Sequence, residues 1–182
     1  TPGHGSRPQE STSVTRLIAA LNRLHEYSFE PRVVPAVDTY FRRLAAGLEP
    51  AWQPHYADMA TAIGQPGVAE ALLRDNPGHY GLIHNTCSMT RLGGSDKINV
   101  IPTEAWAELD CRLLPDQDPD EFLAELGEVL GQEVGVETMM GFSPAVSSSE
   151  TGLFRSIEEV TETHFPGANV VPAVLTGFTD SH

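Results

Sequence analysis

The order of predicted elements along this 182-residue chain indicates a mixed α/β (α+β) fold. Some stretches alternate apolar and polar residues, as half-buried strands do. Others repeat apolar residues at the three- and four-residue spacing of amphipathic helices. Prolines and glycines interrupt both patterns between residues 49 and 80. We therefore expect helices and strands to share a core, with an irregular segment inserted between them.

The first half of the chain is predicted to be helical. Residues 11–28 carry apolar side chains on one helical face, and residues 36–48 repeat the pattern after Pro35 at a plausible first helical position. One short helix near residues 67–75 fits between the proline and glycine breaks. We interpret residues 30–80 as a helical insertion.

Strands are predicted next. Residues 84–92 read as a strand, residues 93–96 as a turn and residues 105–113 as a second strand. The second strand is expected to place Ala105, Ala107, Leu109, Cys111 and Leu113 on one face and Trp106, Glu108, Asp110 and Arg112 on the other.

The remaining elements complete the predicted topology. Asp118 matches an N-cap for a helix that runs to about residue 131, and residues 133–140 alternate as a third strand. Residues 150–164 read as a helix, and residues 169–175 as an apolar strand that Pro172 weakens. Helix, two strands, helix and strand form most of a ferredoxin-like split β-α-β sandwich. Its first strand would have to precede Thr1.

Composition excludes some classes of partner. The net charge is −14 and the isoelectric point is near 4.7, which argues against nucleic acids and anionic membrane surfaces. No apolar run approaches the roughly 20 residues of a membrane span. We expect Cys87 and Cys111 to be buried, reduced thiols in strands, which favours a cytoplasmic protein but leaves a periplasmic or secreted one open.

An amide and a guanidinium stand thirteen residues apart around the second strand. Asn99 lies in the turn that leads to this strand, and Arg112 lies on its polar face. An arginine can bind a carboxylate in bidentate fashion, and the asparagine amide can add a hydrogen bond to the same anion. The alternative is structural: Arg112 would pair with Asp110 or Glu108, and Asn99 would only form a turn.

Two further motifs favour the binding role of Asn99 and Arg112 over the structural one. They are Gly3-His4-Gly5-Ser6 near the start and Leu175-Thr-Gly-Phe-Thr-Asp-Ser-His182 at the end. Together with the Asn-to-Arg offset, and in this order, they resemble the M20 family of metallo-exopeptidases and amidohydrolases, with the carboxypeptidase S-like branch nearest. Each motif alone is weak. The resemblance implies a lid and dimerisation domain over residues 1–141, and a fragment of the catalytic domain over residues 142–182.

The resemblance also implies roles for individual residues. His4 would act from the partner of a homodimer on the oxyanion of the tetrahedral intermediate, held in an unusual pose by its two flanking glycines; an exposed loop histidine is the alternative. Asn99 and Arg112 would bind the substrate's carboxylate or carbonyl oxygen. The pocket floor would be formed by Gly177, Thr179 and Asp180, although a turn capped by Asp180 explains these residues as well. His182 stands where many members have arginine.

Metal chemistry is expected outside this chain. Enzymes of the family resemble two-zinc hydrolases, but the sequence has no His-x-Asp strand, no Asp-Glu-Glu run and no His-Glu-x-x-His motif. The remaining histidines are scattered, and each is interpreted as a surface or satisfied core residue: His25, His55, His79, His84 and His164. We expect no zinc ligand in this segment, which would be inactive by itself.

The functional hypothesis is therefore a substrate-binding lid and dimerisation segment of a longer enzyme that cleaves peptides or N-acyl amino acids. A second hypothesis is a free-standing ferredoxin-like module that dimerises or binds a small molecule without catalysis. A third is an inactive relative that has lost its metal. The helix, strand and loop predicted over residues 142–182 favour the first hypothesis over the second, since a self-contained module does not need them.

Overall fold

The structure is a computed structural model that describes residues 2–142 and 144–177. These residues form two compact units. Unit 1 comprises the described residues of Thr1–Phe29, Thr86–Cys111 and Gln117–Ser143. Unit 2 comprises the described residues of Glu30–Asn85, Arg112–Asp116 and Pro144–His182.

Unit 1 combines two helices with two small sheets. Its elements in chain order are β1 (Gly3–His4), α1 (Ser13–Glu26), β2 (Thr86–Gly93), β3 (Val100–Ile101), β4 (Trp106–Arg112, the last residue assigned to unit 2) and α7 (Pro119–Leu130). Strand β1 pairs with β3 in antiparallel register, and β2 pairs with β4.

Helices α1 and α7, together with Phe29, supply buried apolar side chains of unit 1. The buried side chains on α1 are Ala20, Leu21 and Leu24, and those on α7 are Phe122, Leu126 and Leu130. The Arg23 guanidinium donates to the carbonyl oxygens of Val129 and Leu130, which have no partner within their own helix. The predicted Asp118 N-cap is confirmed, because its carboxylate accepts from the main-chain N–H groups of Asp120 and Glu121.

Unit 2 is helical. It contains α2 (Pro35–Ala45), α3 (Gln53–Ala57), α4 (Met59–Ala62), α5 (Val68–Asp75), α6 (Pro77–Tyr80) and α8 (Gly152–His164). Its core is one cluster of buried residues: Val34, Val37, Phe41, Ala45, Tyr56, Met59, Ala62, Val68, Leu72, Leu82 and Ile83. Residues from the end of the chain reach this unit: Arg43 on α2 binds the Glu158 carboxylate and the Val170 carbonyl, and Val174 packs against the core.

The α+β class is confirmed, and the helices and the first two strands lie within a few residues of their predicted bounds. Two predicted strands are wrong: residues 133–140 and residues 169–175 are irregular. A strand needs a neighbour to satisfy its main-chain groups. Among the described residues, strand pairing is limited to β1 with β3 and β2 with β4. Alternation alone therefore did not suffice to form the third strand.

The expectation for the cysteines is also wrong. Cys87 on β2 and Cys111 on β4 are joined by a disulfide, with their Cα atoms 4.0 Å apart, and both are only partly buried. Neighbouring antiparallel strands bring directly opposite residues this close. Sequence separation alone did not reveal the pairing.

Helix α8 forms as predicted, but its apolar side chains are exposed to solvent. None of its residues is buried, and Leu153, Ile157 and Val160 are exposed. In the described part of the chain, no helix is long and apolar enough to cross a membrane.

Candidate functional site

The pairing of β1 with β3 brings His4 and Asn99 together, although 95 residues separate them in sequence. Gly3 pairs with Ile101 and His4 with Val100, and the Gly5 N–H donates to the Asn99 carbonyl over 2.8 Å. These main-chain bonds fix the positions of both residues. Asn99 lies in a turn, as predicted, but this turn leads into β3, a two-residue strand that the sequence did not predict, and not directly into β4.

The His4 ring is contacted at both nitrogens. Nδ1 accepts a hydrogen bond from the Ser6 main-chain N–H at 3.2 Å and lies 2.7 Å from the Ser6 hydroxyl. Nε2 lies 3.2 Å from Nδ2 of Asn99. The ring remains exposed, so a ligand could approach this group of three side chains from solvent. The motif contained Ser6, but sequence reasoning assigned it no role, because its contact with the ring depends on how the turn folds.

The glycines around His4 do not adopt the unusual backbone conformation that the sequence predicts. Positive φ angles among the described residues occur at Gly67, Gly131 and Gly167, so neither Gly3 nor Gly5 adopts a conformation closed to other residues. The Gln9 side chain occupies the space in which a Cβ at Gly3 would sit, 2.5 Å away. The near atom is the terminal amide nitrogen of Gln9, which can move aside, so the structure does not require glycine at position 3.

Arg112 is the last residue of β4 and is exposed, as the strand pattern predicted. The Glu108 carboxylate, on the same strand, accepts from Arg91 on β2 over 2.7 Å. Arg112 belongs to unit 2, whereas His4 and Asn99 belong to unit 1. The structure therefore shows a direct contact between His4 and Asn99 within unit 1.

The predicted pocket floor is only partly described. Gly177 is exposed, and a Cβ added there would meet no atom within 4 Å. Thr179, Asp180 and His182 lie outside the described residues. Their predicted roles stay predictions.

Metal ligands are not grouped in the described part of the chain. Across residues 2–142 and 144–177, no three histidine, cysteine, aspartate or glutamate side chains come close enough to hold an ion. The described residues therefore do not fit a zinc site.

A second polar cluster lies in unit 2, where His79 stands between two phenols. The Tyr40 hydroxyl is 2.8 Å from Nε2 and the Tyr56 hydroxyl is 2.6 Å from Nδ1. Burial lowers the pKa of His79 and raises the pKa of Tyr56 to about 12. His84 is buried too, stacked on Tyr80 with ring centroids 3.9 Å apart, and burial lowers its pKa. His84 is therefore a buried core residue, and His79 is a half-buried residue with a hydrogen-bond partner at each ring nitrogen.

Comparison with known proteins gives the chain a family context. A family model described as the peptidase dimerisation domain of the M20 family matches residues 1–137. The chain is similar to the N-fatty-acyl-amino acid synthase/hydrolase PM20D1 of Mus musculus, at 26% identity over 100% of this chain and 37% of that protein. The PM20D1 of Xenopus tropicalis is 29% identical over 99% of the chain and 35% of its own length.

A relative of another name matches as well. The probable carboxypeptidase S-like 2 of Dictyostelium discoideum is 22% identical over 98% of the chain and 34% of its length. The chain therefore spans about a third of the length of the curated relatives it matches. No solved structure matches it.

Proposed function

Because the chain belongs to the M20 peptidase family, with the family's dimerisation domain over residues 1–137, we propose that it is the substrate-binding and dimerisation segment of a longer exopeptidase or N-acyl amino acid hydrolase. The observation that carries the proposal is the His4–Asn99 contact, 3.2 Å across the β1–β3 pair. Two motifs that lie 95 residues apart in sequence meet in one exposed group. The names of the relatives, an N-fatty-acyl-amino acid synthase/hydrolase and a probable carboxypeptidase S-like protein, agree with this substrate class.

We assign to His4 the stabilisation of the oxyanion that forms during amide cleavage. Cleavage of an amide passes through a tetrahedral intermediate whose oxygen carries negative charge, and a positioned N–H donor stabilises that charge. His4 is exposed at the end of β1, so its ring can reach a substrate held by another subunit. We propose that it acts across a homodimer, in the site of the partner subunit.

Arg112 and Asn99 are assigned separately to substrate oxygens. Arg112 offers a planar guanidinium at an exposed strand end, which suits a terminal carboxylate. Asn99 offers a carboxamide beside His4, which suits a carboxylate or carbonyl oxygen. Gly177, Thr179 and Asp180 are proposed as the floor of the substrate pocket.

The finer architecture is part of the proposal. We propose that residues 1–141 form a lid domain of the ferredoxin-like type whose first strand lies outside this chain, and that residues 142–182 return to the catalytic domain. The open apolar side of α8 supports this, since Leu153, Ile157 and Val160 would then have a surface to pack against.

Zinc is proposed for the whole enzyme but not for this segment. The family resemblance implies two ions, whereas the described residues hold no cluster that fits one. This chain's own contribution is to bind, orient and donate hydrogen bonds through His4, Asn99 and Arg112.

The compartment is proposed from the disulfide. Disulfides persist in oxidising environments and are rare in the cytosol. The Cys87–Cys111 bond therefore favours a periplasmic or secreted protein over the cytoplasmic one expected from sequence.

The proposal is tested in the longer protein that carries this chain. An N-acyl amino acid and its C-terminal carboxamide analogue serve as paired substrates. We expect Arg112→Ala to lower kcat/KM for the free acid by about ten- to a hundredfold, as loss of a charge-assisted hydrogen bond does, and to affect the carboxamide much less. The ratio of the two constants is the measurement.

Arg91→Ala is the matched control, because Arg91 is an exposed arginine on the neighbouring strand β2. It should leave the ratio unchanged. Equal losses on both substrates would reject carboxylate recognition by Arg112. A protein that sediments as a monomer would reject the action of His4 across a dimer.

A further inference from the structure

The contacts of the His4 ring determine where its proton lies. Three groups face the ring: the Ser6 main-chain N–H at 3.2 Å and the Ser6 hydroxyl at 2.7 Å, both on Nδ1, and the Asn99 carboxamide at 3.2 Å on Nε2. A neutral imidazole has one nitrogen that donates and one that accepts. The three contacts are therefore not independent.

Ser6 determines which ring nitrogen of His4 accepts a hydrogen bond. A main-chain N–H can only donate, so the nitrogen that it faces, Nδ1, must offer its lone pair. The Ser6 hydroxyl, 2.7 Å from the same nitrogen, is compatible with this assignment because a hydroxyl can donate to a lone pair. With both Ser6 groups donating to Nδ1, the proton of the neutral ring stays on Nε2.

Asn99 can satisfy this arrangement. Its carboxamide oxygen and nitrogen have nearly the same size, and half a turn about the side chain exchanges them. The oxygen then accepts from the Nε2 proton over the 3.2 Å that separates the two side chains. The two amide hydrogens of Asn99 then point away from the ring, available to a substrate oxygen.

We infer that Ser6 is a positioning residue that keeps the proton of His4 on Nε2, where a substrate oxyanion can replace the Asn99 carboxamide oxygen as its acceptor. This inference rests on the proposed function, since only that function gives His4 an oxyanion to bind. The opposite arrangement has Nδ1–H donating to the Ser6 hydroxyl and Nε2 accepting from Asn99. In that arrangement Nε2 has no proton to donate.

Nitrogen NMR on the 182-residue chain distinguishes the two arrangements without any substrate. At pH 8, in the neutral range of imidazole, long-range proton–nitrogen correlations show which ring nitrogen carries the proton. His4→Gln identifies the His4 signals among those of the seven histidines. We expect the proton on Nε2 in the unmodified chain. A proton on Nδ1 would overturn the inference.

Variants at Ser6 test whether this residue is responsible. Ser6→Ala keeps the main-chain donor but removes the hydroxyl, so we expect the Nδ1 signal to move and the Nε2–H fraction to fall, with recovery in Ser6→Thr. Ser11→Ala is the matched control, an exposed serine five residues along the same unit, and it should change neither quantity. A Ser6→Ala spectrum identical to that of the unmodified chain would overturn the role of Ser6.

Kinetics on the longer protein separate this inference from the proposed function. We expect Ser6→Ala to lower kcat about fivefold with little change in KM, the effect of one net hydrogen bond, and Ser6→Thr to restore it. If the NMR result holds but neither His4→Gln nor Ser6→Ala changes kcat, the positioning of His4 by Ser6 stands. The oxyanion role of His4 is then rejected.

Discussion

The two units of the molecule are stabilised in different ways. Unit 2 gathers its aromatic and aliphatic side chains into one buried cluster around Phe41, Met59 and Leu72. Unit 1 buries a smaller set between α1 and α7 and leaves apolar side chains of its strands, such as Leu92 and Trp106, exposed. Its strands are held by main-chain pairing and by the Cys87–Cys111 disulfide.

This difference shows where the candidate chemistry lies. His4, Ser6 and Asn99 belong to the unit with the smaller core, on a two-residue strand and the turns beside it. Groups on short exposed segments can meet a substrate, whereas groups inside the unit 2 cluster cannot. Unit 2 supplies a packed body together with the exposed Arg112, and unit 1 supplies the exposed His4 and Asn99.

The largest effect is expected from truncating the core of unit 2. Leu72 is 0% exposed on α5, and Leu72→Ala should lower the free energy of unfolding of this unit by about 2–5 kcal/mol. Urea unfolding is followed by Trp52, which packs on this core, in a Trp106→Phe background so that one tryptophan remains.

Leu73→Ala is the matched control, the same substitution one residue along at a side chain that is 50% exposed. It should cost less than about 1 kcal/mol. Equal costs at both positions would mean that the cluster around Leu72 does not stabilise unit 2.

The second effect concerns unit 1 and the disulfide. Cys87 and Cys111 are 24 residues apart, and closing a loop of that length stabilises the folded state by about 3 kcal/mol in the chain-entropy account. Reduction should therefore lower the free energy of unfolding of unit 1 by about this amount, read from Trp106 in a Trp52→Phe background.

The double variant Cys87→Ser, Cys111→Ser should show this lower stability and no further response to the reductant. Mass spectrometry of the unreduced chain should find the two cysteines linked. Two free thiols after purification in air would contradict the disulfide and remove the argument for an oxidising compartment.

Regular elements could be predicted because their signals are local. Apolar spacing located α1, α2 and α7, and Asp118 identified the start of α7. The alternation at 133–140 misled because a strand forms only beside a partner. The disulfide and the Ser6–His4 contact were missed for a related reason: each depends on two residues meeting in space, which spacing alone does not show. For His4 and Asn99, sequence motifs suggested a shared role, and the contact between them came only with the β1–β3 pairing.

The smallest expected effect is a pH dependence of unit 2. Burial lowers the pKa of His79, so in the folded state the ring stays neutral at pH values at which the unfolded chain already binds a proton. Above about pH 6.5, the ordinary histidine pKa, the contribution of this ring to stability is constant. As the pH falls below that value, the unfolded state gains protons first and the free energy of unfolding declines. Because His79 is only half-buried, residual solvation limits the decline.

Urea unfolding followed by Trp52 between pH 7.5 and 5.5 measures this slope. His79→Gln should reduce the slope without abolishing it, since burial also lowers the pKa of His84 in the same unit. His164→Gln, an exposed position on α8, is the control and should leave the slope unchanged. Stability that rises toward pH 5.5 would mean that the two phenols beside His79 stabilise its cation, since both hydroxyl oxygens can accept from a protonated ring. The cluster of Tyr40, Tyr56 and His79 would then favour a charged imidazole rather than a neutral one, and burial would no longer be its dominant influence.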